Sequence, residues 1–208
     1  MLVLPSLVVT FQPAEPVGVD TAGILRGMYL LAPDSDAKGP RTQLLASGVS
    51  VPWALEAQKL LREDWGVSAD VWSVTSWNEL RRDGLKTDRH NFLNPSATPQ
   101  VSWVTEKLAG TEGPVVAVSD FMRAVQDQIR DWVPNDFVSL GTDGWGMSDT
   151  RGALRRHFKV DAESIAVAVL QQLCNQGEIK QSIVTQAMDK YRIHDVSAAD
   201  AGNTEGSG

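Results

Sequence analysis

Residues 137–151 read FVSLGTDGWGMSDTR, and this stretch decides the fold class. Phe137–Leu140 is a short β-prone run. Gly141, Gly144 and Gly146 break it. Ser148 or Asp149 then stands where a side-chain oxygen can accept from a free N–H in the first turn of a following helix. Strand, glycine turn and helix make half of a βα unit. The chain beyond stays helical in pattern. Asp161 is placed to cap a second helix, and Ile165–Leu170 is apolar nearly all round, as in a deeply buried helix. Gly177 suits a left-handed terminus. Ile183, Val184, Ala187, Met188 and Tyr191 recur at the spacing of a third helix.

The same grammar runs upstream. Thr42–Ala46 is a short apolar run ending near Gly48. Pro52 suits a first helical turn, where its missing N–H costs nothing, and Trp53, Leu55, Ala57, Leu60 and Leu61 recur at helical spacing as far as Trp65, with Gly66 as terminator. Asp70–Thr75 is β-branched and aromatic, hence a strand. Pro114–Ser119 is a continuous apolar run, the mark of a strand buried on both faces. Residues 76–100 are read as a short helix and then a long loop around Pro95 and Pro99. Val101–Val104 is read as a weak strand, and Phe121, Met122, Val125, Ile129 and Trp132 as a helical stripe. Alternating strands and helices predict a single three-layer α/β domain with a mostly parallel sheet.

Length and composition bound the rest. A chain of 208 residues with 42% hydrophobic side chains suits one domain. Residues 1–38 are dense in proline and glycine and read as a lead-in arm or linker, with a short helix around Thr21–Tyr29. Residues 39–196 form the domain, and 197–208 a small, polar, disordered tail. The opening MLVLPSLVVTF lacks a basic n-region and is interrupted by Pro5, so it is not read as a signal peptide. No run approaches the ~20 apolar residues that cross a bilayer. The net charge is −7 and the basic residues are scattered, which argues against nucleic acid as a partner. The single cysteine, Cys174, excludes an intrachain disulfide, suits a cytoplasmic setting and reads as a core thiol.

The residues offer little chemistry of their own. The glycine spacing after Leu140 is G-x-x-G-x-G, neither the dinucleotide nor the Walker pattern. The glycines and the helix start could hold a small anion or nucleotide; a tight turn with a helix cap demands the same residues and is favoured. Asp120, Asp143 and Asp149 could form a carboxylate cluster, but aspartate is also the usual turn and cap residue. His90, His157 and His194 have no zinc-like spacing. No nucleophile elbow is present. Seven tryptophans are many for this length. Trp53, Trp65, Trp72 and Trp132 fit core-facing stripes, whereas Trp77, Trp103 and Trp145 fall near predicted loops or element ends, so that some are expected to face another domain or subunit. The candidate site is therefore an interdomain or anion-contact loop comprising Asp143, Gly144, Trp145, Gly146, Ser148 and Asp149.

Three long segments carry a resemblance: ADVWSVTSWNELRRDG (69–84), GPVVAVSDFMRAVQDQIRDWVP (113–134) and LGTDGWGMSDTRGALRRHFKVDAESIAVAVLQQL (140–173). They resemble the carboxy-terminal domain of the homodimeric, bacterial-type pyruvate dehydrogenase decarboxylating component, and more faintly that of transketolases, whose D-x-F-G-x-S turn is matched by Asp143–Ser148 with Trp145 in place of phenylalanine. The resemblance runs from about Thr21 to Val196; Met1–Val9 resemble nothing in the family. It implies a thiamine-diphosphate- and magnesium-dependent parent that decarboxylates pyruvate and passes the acetyl unit to lipoyl groups, with the parent's other domains, a second subunit and the dihydrolipoyl acyltransferase core as partners. It also implies that the cofactor and catalytic residues lie in two other domains. The thiamine signature, G-D-G followed by asparagine, is matched only by Thr142-Asp143-Gly144, and the next asparagine is Asn175. No catalytic, cofactor or metal residue is assigned to this chain. The alternative reading is a standalone interaction module with the same fold.

Overall fold

The computed structural model of the protein describes Gly18, residues 20–35 and residues 39–200. Five strands form one sheet: β1 (Met28–Ala32), β2 (Arg41–Ala46), β3 (Ser68–Val74), β4 (Val115–Met122) and β5 (Phe137–Thr142). Their order is β1-β3-β2-β4-β5. β2 to β5 are parallel, and β1 runs antiparallel to β3 at one edge. The helices are α1 (Thr21–Arg26), α2 (Val51–Trp65), α3 (Trp77–Leu93), α4 (Trp103–Leu108), α5 (Arg123–Asp127), α6 (Arg151–His157), α7 (Ala162–Asn175) and α8 (Gln181–Lys190).

Strand alternation divides the side chains between two cores. Leu44, Ala46, Ala69, Val71, Val116 and Val118 face α2, α7 and α8. Leu45, Trp72, Val74, Val115 and Ala117 face α3 and α4 on the other side. The expected α/β sheet with helices on both faces is therefore present. α2 begins with Pro52 in its first turn and ends at Gly66 in the left-handed conformation. Asp161 caps α7, its carboxylate accepting from Ser164 N at 3.2 Å, and Gly177 has φ +79°.

Other expectations need correction. Of the expected arm, residues 1–17, 19 and 36–38 lie outside the described residues, but Thr21–Ala32 is integral to the domain. Met28 is fully buried and pairs with Val74. At the other end, 201–208 lie outside the described residues, while Val196–Asp200 forms a 3-10 turn that packs on α6. Trp77–Leu93 form one 17-residue helix, not a short one. Ser76 caps its start, the hydroxyl accepting from Glu79 N at 3.1 Å. Val101–Val104 is not a strand. Ser102 caps α4, and the Asp83 carboxylate takes the Trp103 N–H at 2.6 Å. Phe121 and Met122 end β4 instead of starting a helix, because the β4–β5 pairing continues to Met122 and Thr142 after an irregularity. Leu55, read as part of the inward stripe of α2, is exposed.

Candidate functional site

The connections place one edge of the sheet apart from the rest. From β2 the chain passes to β3 on one side and later returns to β4 on the other. The carboxyl ends of β2 and β4 thus mark the topological switch point, where open α/β sheets present their loops for binding. The segments there are residues 47–50, the last residues of β4 (119–122), and the end of β5 with the loop that follows it (141–150). Their base is hydrogen-bonded: Ser47 and Ser119 hydroxyls lie 2.8 Å apart, the Trp77 indole donates to Ser47 Oγ at 3.0 Å, and Thr142 Oγ1 donates to Asp120 O at 2.9 Å. Gly141 is required at this base, since a Cβ there would lie 2.5 Å from the Phe121 carbonyl oxygen.

Beyond Gly141 the candidate loop leaves the body of the domain. Asp143, Gly144, Trp145, Gly146, Met147, Ser148 and Asp149 are all exposed. Trp145 is 94% exposed, an unusual state for the largest apolar side chain. Asp143 forms a solvent-facing pair with Arg123 at 3.5 Å. Gly144 has φ +82°, which tightens the turn, and a Cβ at Gly144 or Gly146 would meet nothing within 4 Å. The loop is a projection and does not fold into a cradle. Neither Ser148 nor Asp149 is the helix cap. Thr150 caps α6, accepting from Ala153 N at 3.2 Å, and Asp149 accepts from Thr150 N at 2.7 Å.

Phe121 and Met122 are also exposed, as is Val49 in the loop after β2. Val49, Phe121, Met122, Trp145 and Met147 are thus exposed apolar side chains on the segments at the carboxyl ends of β2, β4 and β5. Sequence reasoning singled out Trp145 but assigned Phe121 and Met122 to a buried helical stripe. Of the three tryptophans read near element ends only Trp145 is exposed; Trp77 and Trp103 are 4% and 5% exposed and belong to the core beneath α3 and α4.

The residues do not fit magnesium–thiamine diphosphate. Among the described residues no three His, Cys, Asp or Glu side chains gather as metal ligands. Asp143 faces solvent, and Asn175 accepts from Gln171 Nε2 at 3.0 Å at the end of α7. No step through that cofactor follows from this chain. Cys174 is half-buried, with its thiol 3.4 Å from Gln181 Oε1. Among the described residues no helix is long and apolar enough to cross a membrane.

The carboxylate that anchors β5 beneath the loop is Asp127. Burial pushes its pKa up, but donation from Ser139 (2.7 Å) and Arg130 (2.8 Å), with Arg123 nearby, outweighs this and holds it below its ordinary value. Asp64 is lowered likewise by Lys190, against burial and with help from Tyr191. Groups with depressed folded-state values stabilise fully above the unfolded value of about 3.9 and lose that contribution as the pH falls through the folded value. The melting temperature is thus expected to hold from neutral pH to about pH 5 and to drop below about pH 4. Asp127→Asn should start lower and drop less; an equal drop in a pH-dependent thermal melt would remove Asp127 from the account.

Comparison with known proteins fixes the family. A model of the transketolase-like TK C-terminal domain matches residues 27–161. The chain belongs to this family. Its match begins one residue before β1, in keeping with a five-stranded domain that includes the antiparallel edge. The domain is similar to the pyruvate dehydrogenase E1 components of Mycolicibacterium smegmatis (54% identical over 188 residues, 90% of this chain and 20% of the relative) and Mycobacterium tuberculosis (49% over 194 residues, 93% and 21%). That of Escherichia coli K12 is 42% identical over 183 residues, 88% of this chain and 20% of the relative. The chain therefore spans about a fifth of the length of these curated relatives. Among solved structures, a split-gene transketolase described as an inactive β4 tetramer matches with TM-score 0.50 at 19% identity, covering 72% of this chain and 43% of that one. A transketolase from Leishmania mexicana matches with TM-score 0.50 at 18% identity, covering 76% and 20%. These two show the shared fold.

Proposed function

We propose that this domain is the carboxy-terminal structural and interface domain of a pyruvate dehydrogenase decarboxylating component, and that it assembles with the thiamine-diphosphate-binding domains through the strand-end edge carrying Trp145. The parent reaction is oxidative decarboxylation of pyruvate with acetyl transfer to lipoyl groups, carried out in the cytoplasm by a homodimer that works with the acyltransferase core. The single observation that carries the interface reading is the exposure of Trp145 on a projecting loop, flanked by Phe121 and Met122 at the same edge. Identity of 54% to a relative five times as long supports the parent. The chain's own residues would position, not catalyse. A second reading is the same fold acting alone as a protein-interaction module; the split-gene transketolase that shares the fold is described as an inactive β4 tetramer.

The test is reconstitution. The chain alone should neither bind thiamine diphosphate in a calorimeter nor consume pyruvate. Mixed with the M. smegmatis component truncated before its matching 188 residues, it should co-sediment and restore pyruvate decarboxylation. Trp145→Ala should weaken that assembly by about 2 kcal/mol, roughly thirtyfold, as for a buried aromatic anchor. Its melting temperature should not move, because the side chain touches little of its own domain. Unchanged assembly by the variant would remove the loop from the interface, and no assembly by the parent chain would favour the standalone module.

A further inference from the structure

The outer face of α3 holds a second surface, separate from the strand-end edge. Trp77, Leu80, Gly84 and Thr87 turn inward. At 100° per residue, Arg82, Leu85, Lys86, Arg89, Phe92 and Leu93 then lie opposite, with Arg81 beside them. All seven are exposed; Phe92 is 85% and Leu93 62% exposed. Basic residues that look scattered along the chain are thus gathered on one helix face, interleaved with apolar ones.

The acids of α3 do not answer this charge. Asp83 accepts the Trp103 N–H and pairs with Arg26 at 3.9 Å. Asp88 accepts from the Trp132 indole at 3.0 Å. Glu79 reaches only Arg82, at 2.8 Å. Among the described residues Arg81, Lys86 and Arg89 make no ion pair. Arg82–Lys86 and Lys86–Arg89 are like-charge neighbours at helical spacing, mutually unfavourable by a few tenths of a kcal/mol each. Arg81, Lys86 and Arg89 are thus open to a counter-charge from outside the domain.

We propose that this face docks an acidic segment of a partner polypeptide, one that brings several carboxylates around one or two large apolar side chains. The carboxylates would relieve the repulsion among Arg81, Arg82, Lys86 and Arg89, and the apolar anchor would cover Leu85, Phe92 and Leu93. An anionic membrane or a nucleic acid fits less well: the main apolar face of α3 is already spent in the core, and a phosphate backbone brings no apolar side chain to cover Leu85, Phe92 and Leu93.

The test uses the full chain and a fluorescein-labelled peptide of glutamates bearing two leucines and one phenylalanine, followed by anisotropy at low and high salt. Micromolar binding is expected, weakened about tenfold by salt, because exposed pairs are screened. Lys86→Glu with Arg89→Glu should abolish it, and Phe92→Ser should weaken it about tenfold while all charges remain. These side chains are exposed, so the melting temperature of each variant should match the parent. No binding of the peptide overturns the proposal, as does binding that survives charge reversal. Capture by phosphatidylserine vesicles or duplex RNA without the peptide would reassign the face to those ligands.

Discussion

Arg156→Ala is expected to lower the unfolding free energy by about 3–5 kcal/mol, the range for breaking a buried ion pair from one side. The Arg156 side chain is 2% exposed. Its Nε donates to the buried Asp161 carboxylate, one Nη reaches Glu163 at 3.4 Å, and the other donates to the carbonyls of Tyr191 at 2.9 Å and Arg192 at 3.3 Å. One guanidinium thus ties the α6–α7 connection to the segment that follows α8. Alanine removes every one of these donors and strands Asp161 as an uncompensated buried charge, and an orphaned charge costs more than the pair contributed. Arg156→Met combined with Asp161→Asn removes both charges and keeps an N-cap, since asparagine caps as well as aspartate; its loss should be smaller than that of Arg156→Ala alone. Urea unfolding of the three proteins checks the ordering. A loss below about 1 kcal/mol for Arg156→Ala would show that the cluster is surface-like in energy.

Such contacts also show where sequence reasoning stops. Local pattern carries local structure: Pro52 and Gly66 bound α2, Asp161 caps α7, and the continuous apolar run at 115–118 is a central strand. The edge strand β1 was hidden because MYLLA has no strand-like alternation of its own and its partner, β3, lies some forty residues on. Trp77 and Trp103 sit at helix starts, which reads as exposure. The structure buries them because their indole N–H groups find acceptors inside, Ser47 Oγ and the Met28 carbonyl at 3.1 Å. The candidate loop was legible as a turn and as a family mark. Its projection was not, because glycine spacing specifies a turn and says nothing about what surrounds it. The basic face of α3 needed the full length of that helix, and the short-helix reading dispersed it.

Gly113→Ala should cost about 2–5 kcal/mol, from two terms that a second variant separates. Gly113 has φ +80°, and a Cβ there would lie 1.7 Å from the Arg41 carbonyl oxygen and 2.5 Å from its carbon. Neither side can yield cheaply. Arg41 begins β2 and pairs with Ser68. The Gly113 carbonyl accepts from Asn135 at 2.9 Å, and the next carbonyl, of Pro114, accepts from Gln43 N at 2.9 Å and Thr42 Oγ1 at 2.8 Å. An inserted methyl therefore meets backbone held on both sides, and the starts of β2 and β4 must part to admit it. Gly177 shares the conformation, φ +79°, but a Cβ there meets nothing within 4 Å. Gly177→Ala should accordingly cost only the left-handed penalty of about 1–2 kcal/mol. The difference between the two variants in urea unfolding isolates the steric term, and it should exceed about 1 kcal/mol. Equal losses would mean that the β2–β4 seam opens without cost and that the parallel register at Gln43 and Val115 is softer than its hydrogen bonds imply.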